Sequence, residues 1–390
     1  MPIAEHTEIR TLAHDFAVGE LRPHTAAWDA ARALDDEVFA KLADVGFLGM
    51  LVPEEHGGLA FDLRTYVAVL EELAWGDAAV ALSVSIHNGP VCALLARRGS
   101  EGQKALWLPR LATGDAFGAF ALSEPDAGSD PSSLSTRAVA DGDGWRLTGR
   151  KRWVTNGARA DLVLVFARTG SEDGAISVFL VDPASEGYRV TGREHTLGVR
   201  ASETVSVALE GVRVGGDALL GEAGRGLAYA LESIDLGRLG VAAEAVGIAR
   251  AAMEHAASYA LERRQFGRAL AEFGATRAKL ANMAGKVAAA RGLVHDAAAA
   301  GGPTGNGTGS SRTGMGGITA RAAMAKVVAS EAATWVADEA VQIFGGYGYM
   351  RDYPVEKLLR DAKGTEIYEG TNEILRHVIA GEVLREARGD

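Results

Sequence analysis

The C-terminal part of the 390-residue chain, from about residue 239 onward, contains a long apolar repeat, which restricts the possible folds more than any other feature of the sequence. One stripe steps by three and four residues along Leu239, Ala242, Val246, Ala249, Met253, Ala256 and Ala260. A second stripe consists of Leu280, Met283, Val287, Ala290 and Val294. Such steps place side chains on one face of an α-helix. Because many of these residues are alanine, the helices can approach closely, and the pattern predicts a bundle.

Two further helices are predicted at about 318–344 and 372–388, which completes a C-terminal four-helix bundle over 226–390. The segment 301–317, between the second stripe and the helix predicted at about 318–344, holds eight glycines in seventeen residues. A phosphate-binding loop needs a preceding strand and a following Gly-Lys-Ser/Thr, and both are missing here. The segment is therefore predicted to be a flexible interhelix loop.

The rest of the chain divides into a helical part and a strand-rich part. Residues 1–115 are predicted to form an N-terminal helical domain, because segments rich in Ala, Leu and Glu end at glycine or proline. These helices are expected at about 8–30, 36–46, 63–75 and 79–98. Residues 116–225 are predicted to form a middle β domain, with strands at about 144–155, 161–169, 176–182 and 204–214. The fold class is mainly α with a middle β domain.

Composition excludes several functional classes. Lys plus Arg total 40 against 51 Asp plus Glu, a net charge of −11, so no nucleic-acid partner is expected. No apolar run is seen that approaches the roughly 18 to 20 residues of a membrane span, and no secretory signal is recognised, so a cytoplasmic protein without a membrane partner is expected. Cys92 is the only cysteine, which excludes an intrachain disulfide and a multi-cysteine metal site. No metal site is predicted.

Two segments near the predicted strands are candidates for ligand binding. The first, ALSEPDAGSD, contains Ser123 and Ser129, whose hydroxyls can bind a ligand, although an ordinary polar turn has the same composition. The second, WVTNG, places Trp153 at a strand end. A tryptophan there is usually a core residue, but beside a threonine it can also cover a flat aromatic ligand.

Two further segments lie at predicted helix ends. In ERRQFG, Arg263 and Arg264 are either solvated charges at a helix C-terminus or partners of a pyrophosphate. QIFGGYG precedes IYEGTNEI, which contains Glu369 in an apolar turn before the last helix. A carboxylate in such a turn can be a general base with a raised pKa, or a helix-capping group.

Together these segments resemble the acyl-CoA dehydrogenase family. ALSEPDAGSD, WVTNG, ERRQFG, QIFGGYGY and IYEGTNEI occur in the family's order, and the resemblance extends from about Thr7 to Glu386. It implies an N-terminal helical domain, a β-barrel-like middle domain and a C-terminal four-helix bundle. It also implies a homotetramer built as a dimer of dimers, as well as an FAD cofactor.

By this resemblance, the following residues bind FAD: Leu122, Ser123, Ser129, Trp153, Thr155, Arg263, Phe266, Gln342, Gly345, Gly346, Thr371 and Glu373. Of these, Gln342, Gly345 and Gly346 match contacts made across a subunit interface. The residues that match the acyl-CoA site are Ser129, Asp235, Arg238, Tyr368 and Gly370. Glu369 matches the catalytic glutamate.

The resemblance implies that Glu369 takes the α-proton of an acyl-CoA thioester while the β-hydride passes to FAD, which yields the trans-2-enoyl-CoA. Some family members carry the base on the helix of the Asp-x-x-Arg motif, where this chain has Gly237. Two departures concern Gly274, where the family often has Gln, and Asp126, where Gly is frequent. They imply weaker FAD binding and an uncertain acyl substrate, respectively.

Several alternatives remain open at this point. ALSEP, the Asp-Leu-Gly-Arg stretch and the position of the base are most similar to short-chain members, with electron-transfer flavoprotein as the acceptor. An acyl-ACP substrate, an oxygen-using flavin oxidase and a non-enzymatic helical scaffold are the competing interpretations. The sequence predicts an oxidoreductase of fatty acid metabolism, in particular of β-oxidation.

Overall fold

The computed structural model describes residues 3–170, 175–301 and 317–388. The glycine-rich loop predicted between two helices lies almost entirely outside these ranges. The N-terminal part contains seven α-helices: α1 Ile3–Phe16, α2 Thr25–Ala31, α3 Asp36–Asp44, α4 Leu63–Gly76, α5 Ala78–Ile86, α6 Leu94–Arg98 and α7 Glu101–Thr113. The C-terminal part contains α8 Gly226–Glu262, α9 Gly274–Ala300, α10 Ile318–Phe344, α11 Pro354–Thr365 and α12 Asn372–Arg388.

The middle part is an eight-stranded sheet. Its strands are β1 Gly118–Ala121, β2 Arg137–Asp141, β3 Gly144–Val154, β4 Leu162–Arg168, β5 Ile176–Val181, β6 Tyr188–Arg193, β7 Val205–Gly215 and β8 Leu219–Leu220. The spatial order is β6-β7-β3-β2-β4-β5-β8, and β1 pairs in parallel with β4. A two-stranded ribbon, β9 Arg264–Gln265 and β10 Arg268–Ala269, joins α8 to α9. The predicted helix–strand–helix order is confirmed.

One hydrophobic core joins the N-terminal helices to the bundle. Residues of α4 and α5, such as Leu70 and Val84, belong to the same buried cluster as Leu239 and Val246 of α8. The stripe on α8 is buried as predicted except for the half-buried Met253. Because α8 is covered by α4 and α5 as well as by α9 and α10, its middle is buried on all sides rather than along one face.

Several sequence predictions of local structure are wrong. The helix expected at 8–30 is three segments, because a π-helical turn at Ala17–Leu21 and a bend at Pro23 separate α1 from α2. The predicted bundle helix α12 is present and packs against α10, where Leu375 joins Ala323 and Val327 in a small buried cluster. The amphipathic helix α11 was not predicted at all.

The expectation that no apolar run approaches membrane-span length is also wrong. Residues Ala78–Arg98 have the length and the hydropathy of a membrane-spanning helix. The whole of this apolar window is buried inside the protein. Its apolar character is therefore explained by its position in the core, where it packs against α4 and α8.

Candidate active site

Glu369 lies in the turn between α11 and α12, with its carboxylate on the surface of α8. The backbone of Glu369 is in the left-handed region at φ 56°, and Gly370 follows at φ 92°. A Cβ atom added to Gly237 would lie 2.5 Å from Glu369 Cδ. The absence of a side chain at Gly237 thus leaves the space that the Glu369 carboxylate occupies. The two positions at which the family carries its base face one another, and only one of them can hold a carboxylate in this arrangement.

Burial and two cations act in opposite directions on the charge of Glu369. Desolvation raises the pKa of this carboxyl to about 7, while Arg238 and Lys326 act to lower it. Loss of water disfavours the ionised form, and nearby positive charge favours it. A carboxylate poised near neutral pH is basic enough to remove a proton and is still ionised in a large share of molecules.

Both cations also hold the backbone of this turn. Arg238 Nε donates to the Glu369 carbonyl at 3.4 Å, and Arg238 Nη1 donates to Asp235 Oδ1 at 3.0 Å. The hydroxyl of Thr319 donates to the other oxygen of Asp235 at 2.7 Å. Arg238 and Asp235, which the resemblance assigns to acyl-CoA, are thus buried and support the turn of the base. The role in substrate binding stays a prediction.

Lys326 was not singled out from the sequence, yet it reaches the same turn from α10. Its ammonium donates to the Gly370 carbonyl and to Asn372 Oδ1, each at 2.9 Å. Ser330 of α10 also bonds the Asn372 side chain, at 3.0 Å. Burial lowers the pKa of Lys326 to about 7. A lysine within an alanine-rich helix resembles an exposed residue in sequence, which explains why it was missed.

Tyr368, the residue before Glu369, also contacts α8. Its hydroxyl donates to Glu244 Oε1 at 2.7 Å. Glu244 is 1% exposed, and its Oε2 has no hydrogen-bond partner among residues 3–170, 175–301 and 317–388. Desolvation raises the pKa of Glu244 to about 8, so this carboxyl is neutral at pH 7. Glu244 was also missed, because a single acid in a largely apolar helix does not form a recognisable motif.

The ALSEPDAGSD loop is held by a buried ion pair. Glu124 accepts hydrogen bonds from Lys151 Nζ at 2.8 Å and from the backbone amides of Ser135 and Thr136 at 2.6 and 3.0 Å. Lys151 also donates to the carbonyl of Leu122 at 3.0 Å. These bonds fix the backbone beside Ser123 and leave that half-buried hydroxyl on the loop. Ser129, farther along the loop, is exposed.

Trp153 presents its ring beside this loop. A bulge between Lys151 and Val154 interrupts the pairing of β3 with β7, and Trp153 takes a left-handed backbone at φ 55°. The side chain is 50% exposed, and a Cβ at Gly128 would lie 3.7 Å from its ring. Thr155 follows the bulge and is half-buried. The ring is therefore not a core residue, and its free face suits a flat aromatic ligand.

The remaining predicted cofactor residues lie at three helix ends, those of α8 and α10 and the start of α12. The Arg263 guanidinium, at the end of α8, lies 5.3 Å from the centre of the Tyr347 ring, and the nearby Phe266 is 94% exposed. Cβ atoms added to Gly345 or Gly346 would meet no atom within 4 Å, as is also true of Gly274. Gln342 is exposed beside them, while Thr371 caps α12 next to the exposed Glu373.

These features fit FAD. The open glycines and the Arg263 guanidinium suit a pyrophosphate, and the exposed rings of Trp153 and Phe266 suit flat ring systems. The structure brings together three groups of predicted site residues and their neighbours. Gly128 lies beside Trp153, Arg263 lies beside Tyr347, and Glu369 lies beside both Arg238 and Gly237. The cofactor role of each individual residue stays a prediction.

Comparison with known families covers nearly the whole chain. Residues 3–115 match the acyl-CoA dehydrogenase N-terminal domain, 119–212 the middle domain and 224–384 the C-terminal domain. An acyl-CoA dehydrogenase of Bacillus subtilis is 40% identical over 382 residues, 97% of this chain and 98% of the relative. The mitochondrial short-chain specific acyl-CoA dehydrogenase of Bos taurus is 40% identical over 385 residues, 98% of this chain and 91% of the relative.

Solved structures give the same result. Butyryl-CoA dehydrogenase from Megasphaera elsdenii superposes with a TM-score of 0.91 at 39% identity, covering 97% of this chain and 98% of that one. A structure described under the electron transferring flavoprotein of Acidaminococcus fermentans gives 0.92 at 39% identity, covering 99% of each chain. An acyl-CoA dehydrogenase of Bacillus anthracis complexed with FAD gives 0.92 at 32% identity, covering 99% of this chain and 68% of that one.

The predicted fold class, enzyme class and cofactor are thereby confirmed. The alternative of a non-enzymatic scaffold has no support among these relatives. The chain belongs to the acyl-CoA dehydrogenase family of FAD-dependent oxidoreductases.

Proposed function

We propose that this enzyme oxidises short-chain acyl-CoA thioesters to trans-2-enoyl-CoA, with Glu369 as the general base. The observation that carries the proposal is the Glu369 carboxylate, which lies against Gly237 in a site where burial raises its pKa to about 7. A C–H bond beside a thioester is weakly acidic, so its removal requires a desolvated base close to the α-carbon. Glu369 meets this requirement, and Gly237 removes the rival position.

The chain's own residues carry out the proton transfer and hold the substrate. Glu369 accepts the α-proton on a carboxylate oxygen, and its backbone N–H is available to the thioester oxygen, where negative charge develops. Arg238 and Lys326 keep the turn in place through the carbonyls of Glu369 and Gly370. When bound beside Trp153 and Ser123, FAD supplies the acceptor for the β-hydride.

The preference for a short acyl chain is supported by Glu244. Glu244 lies seven residues after Gly237 on the same face of α8, about 10 Å along the helix at 1.5 Å per residue. The buried Glu244 carboxyl is hydrogen-bonded to the Tyr368 hydroxyl, so this pair blocks the space about 10 Å from Gly237 along α8. A long acyl chain following α8 would have to displace this hydrogen-bonded pair, whereas a four-carbon chain would not. The relatives from Bos taurus and Megasphaera elsdenii are named for short-chain substrates.

We also propose a homotetramer built as a dimer of dimers. Large apolar side chains are exposed where α8 and α10 end, among them Leu261, Phe266, Tyr349 and Met350. Exposed apolar groups of this size at one end of a molecule are typical of an interface. A second subunit at this end would cover them and would complete the FAD site beside Gly345 and Gly346. Light scattering should give four times the 40.7 kDa chain mass, and a flavin-loaded, active monomer would contradict the proposal.

The proposed electron acceptor is an electron-transfer flavoprotein, in a cytoplasmic pathway of fatty acid β-oxidation. Its support is the structural neighbour described under the electron transferring flavoprotein of Acidaminococcus fermentans. A flavin oxidase would instead reoxidise in air within each turnover. Comparing reoxidation by oxygen with reoxidation by purified electron-transfer flavoprotein separates these acceptors.

The substrate proposal is tested by anaerobic bleaching of the flavin. Saturated acyl-CoAs from C4 to C16, branched acyl-CoAs and butyryl-ACP are mixed with the enzyme, and the products are identified by mass spectrometry. We expect the fastest bleaching with C4 or C6 acyl-CoA and the trans-2-enoyl thioester as product. Faster bleaching with C12 to C16 chains would overturn the short-chain proposal, and a clear preference for butyryl-ACP would change the carrier but leave the reaction intact.

A further inference from the structure

Lys326 occupies an unusual position for a buried lysine. Lys326 is 0% exposed, and within residues 3–170, 175–301 and 317–388 its hydrogen bonds end on uncharged oxygens, the Gly370 carbonyl and the Asn372 side chain. Burying an ammonium without a carboxylate in contact is costly, so a lysine at such a site calls for a functional explanation. The nearest part of the chain with a chemical role is the Glu369 turn.

We infer that Lys326 is a positioning residue for the proposed dehydrogenation, which fixes the turn that carries Glu369 and supplies a positive charge that keeps its carboxylate ionised before substrate is oxidised. This inference rests on the proposed role of Glu369 as the base. Its geometric basis is the bond from Lys326 Nζ to the carbonyl of Gly370, the residue directly after the base.

The charge of Lys326 acts on Glu369 without a contacting carboxylate of its own. Electrostatic coupling between the two groups lowers the pKa of Glu369 and raises that of Lys326. Arg238 of α8 is the other cation of the site, and its guanidinium already bonds Asp235 at 3.0 Å. The charged groups that face Lys326 from neighbouring elements are Arg238, Glu366, Glu369 and Glu373.

The same charge has a consequence for the reaction. When Glu369 takes a proton, its negative charge disappears, and Lys326 then lies beside a neutral acid. At pH values below its own pKa of about 7, Lys326 carries the charge that favours ionised Glu369. Removing this charge should therefore make Glu369 harder to deprotonate, and the acid side of the pH profile should move upward.

Three variants separate charge from packing. Lys326→Met removes the charge and both hydrogen bonds at similar side-chain length. Asn372→Asp keeps Lys326 but gives it a carboxylate partner, which offsets its charge. Ser330→Ala is the matched control, because it removes a neighbouring bond to Asn372 without changing any charge. Retained flavin absorbance and unchanged binding of crotonyl-CoA identify the folded variants.

The measurement is the pH dependence of single-turnover flavin bleaching by butyryl-CoA, with infrared titration of the Glu369 carboxyl as a readout that needs no turnover. That carboxyl band is identified by its loss in Glu369→Gln. We expect Lys326→Met to raise the midpoint of the acid limb by about 1 pH unit. Asn372→Asp should shift it in the same direction, and Ser330→Ala should leave it unchanged.

A wild-type midpoint in both charge variants would overturn the inference, even if bleaching were slower at every pH. If Lys326→Met does not fold, Asn372→Asp alone decides, since it changes no side-chain volume appreciably. Failure of the proposed function has a different signature: Glu369→Gln would then bleach normally. A dead Glu369→Gln together with unshifted midpoints would retain the base and reject the role of Lys326.

Discussion

Two buried lysines hold two loops of the candidate active site, and the two ammonium groups have different kinds of partner. Lys151 holds the ALSEPDAGSD loop and lies 2.8 Å from the Glu124 carboxylate, which also accepts bonds from backbone amides. Lys326 holds the Glu369 turn, and its hydrogen bonds end on uncharged oxygens. Both lysines are almost completely buried.

The difference indicates two uses of the same residue type. In the β domain the ion pair is closed, so its charges cancel locally and its function is to fix the backbone of the loop. In the bundle, under the proposed mechanism, the positive charge of Lys326 acts on the Glu369 carboxylate, and its hydrogen-bond partners do not neutralise it. Substitutions in the first region should mainly affect folding, and substitutions in the second should mainly affect rate.

The largest expected effect is in the β domain. Lys151→Met leaves the Glu124 carboxylate buried without its cation, and breaking a buried pair in this way costs about 3–5 kcal/mol of unfolding free energy. Denaturant unfolding of the flavin-loaded protein measures this loss. The double variant Lys151→Met/Glu124→Gln should recover much of it, because no charge remains unpaired. If the double variant were as unstable as Lys151→Met alone, the loss of stability would not come from the unpaired Glu124 charge, and the prediction would be wrong.

The second prediction concerns Gly237 in the bundle. In Gly237→Ala the new Cβ displaces the flexible end of Glu369, which would otherwise lie 2.5 Å away. A displacement of this size should slow bleaching by about 10²-fold. Folding should not suffer, since alanine is favoured over glycine inside helices by up to about 1 kcal/mol. Thermal unfolding and stopped-flow bleaching of one preparation test both parts, and slow bleaching with a large loss of stability would contradict the prediction.

The third prediction concerns Glu244, next to the same site. Burial raises the pKa of Glu244 from 4.5 to about 8, so the folded protein loses stability relative to the unfolded chain as the pH rises between these values. Glu244→Gln keeps a partner for Tyr368 and removes this pH dependence. The variant should be more stable than the wild type by on the order of 4 kcal/mol at pH 8, because the two pKa values differ by about 3.5 and each pKa unit corresponds to about 1.4 kcal/mol. The gain should vanish near pH 4.5, and a gain of equal size at both pH values would count against the raised pKa.

The sequence was sufficient for the fold class and for the segments that form the site. The stripe from Leu239 to Ala260 predicted α8, and the bounds predicted for α10 and α12 agree with the structure. Five motifs located Glu369 and the family. These features are local, since a helix period or a short motif is contained in consecutive residues.

The residues that the sequence did not reveal act across long separations. Lys326 contacts Gly370 and Asn372, Glu244 contacts Tyr368, and Lys151 contacts Glu124. Each is a single polar residue whose burial is decided by a partner on another element. The break between α1 and α2 is different, because it depends on the π-helical turn at Ala17–Leu21 and on Pro23, which are local features of the chain.

Glu369→Gln tests most directly whether Glu369 is the base that removes the α-proton. Because burial raises the pKa of Glu369 to about 7, bleaching of the wild type by butyryl-CoA should be slow at acidic pH and should rise as the pH passes through about 7. The variant should keep its flavin and bind crotonyl-CoA, yet bleach about 10²- to 10⁴-fold more slowly than the wild type above pH 7 and show no rise through pH 7. Near-normal bleaching by a flavin-loaded Glu369→Gln protein would mean that another group takes the α-proton, and the proposed mechanism would be wrong.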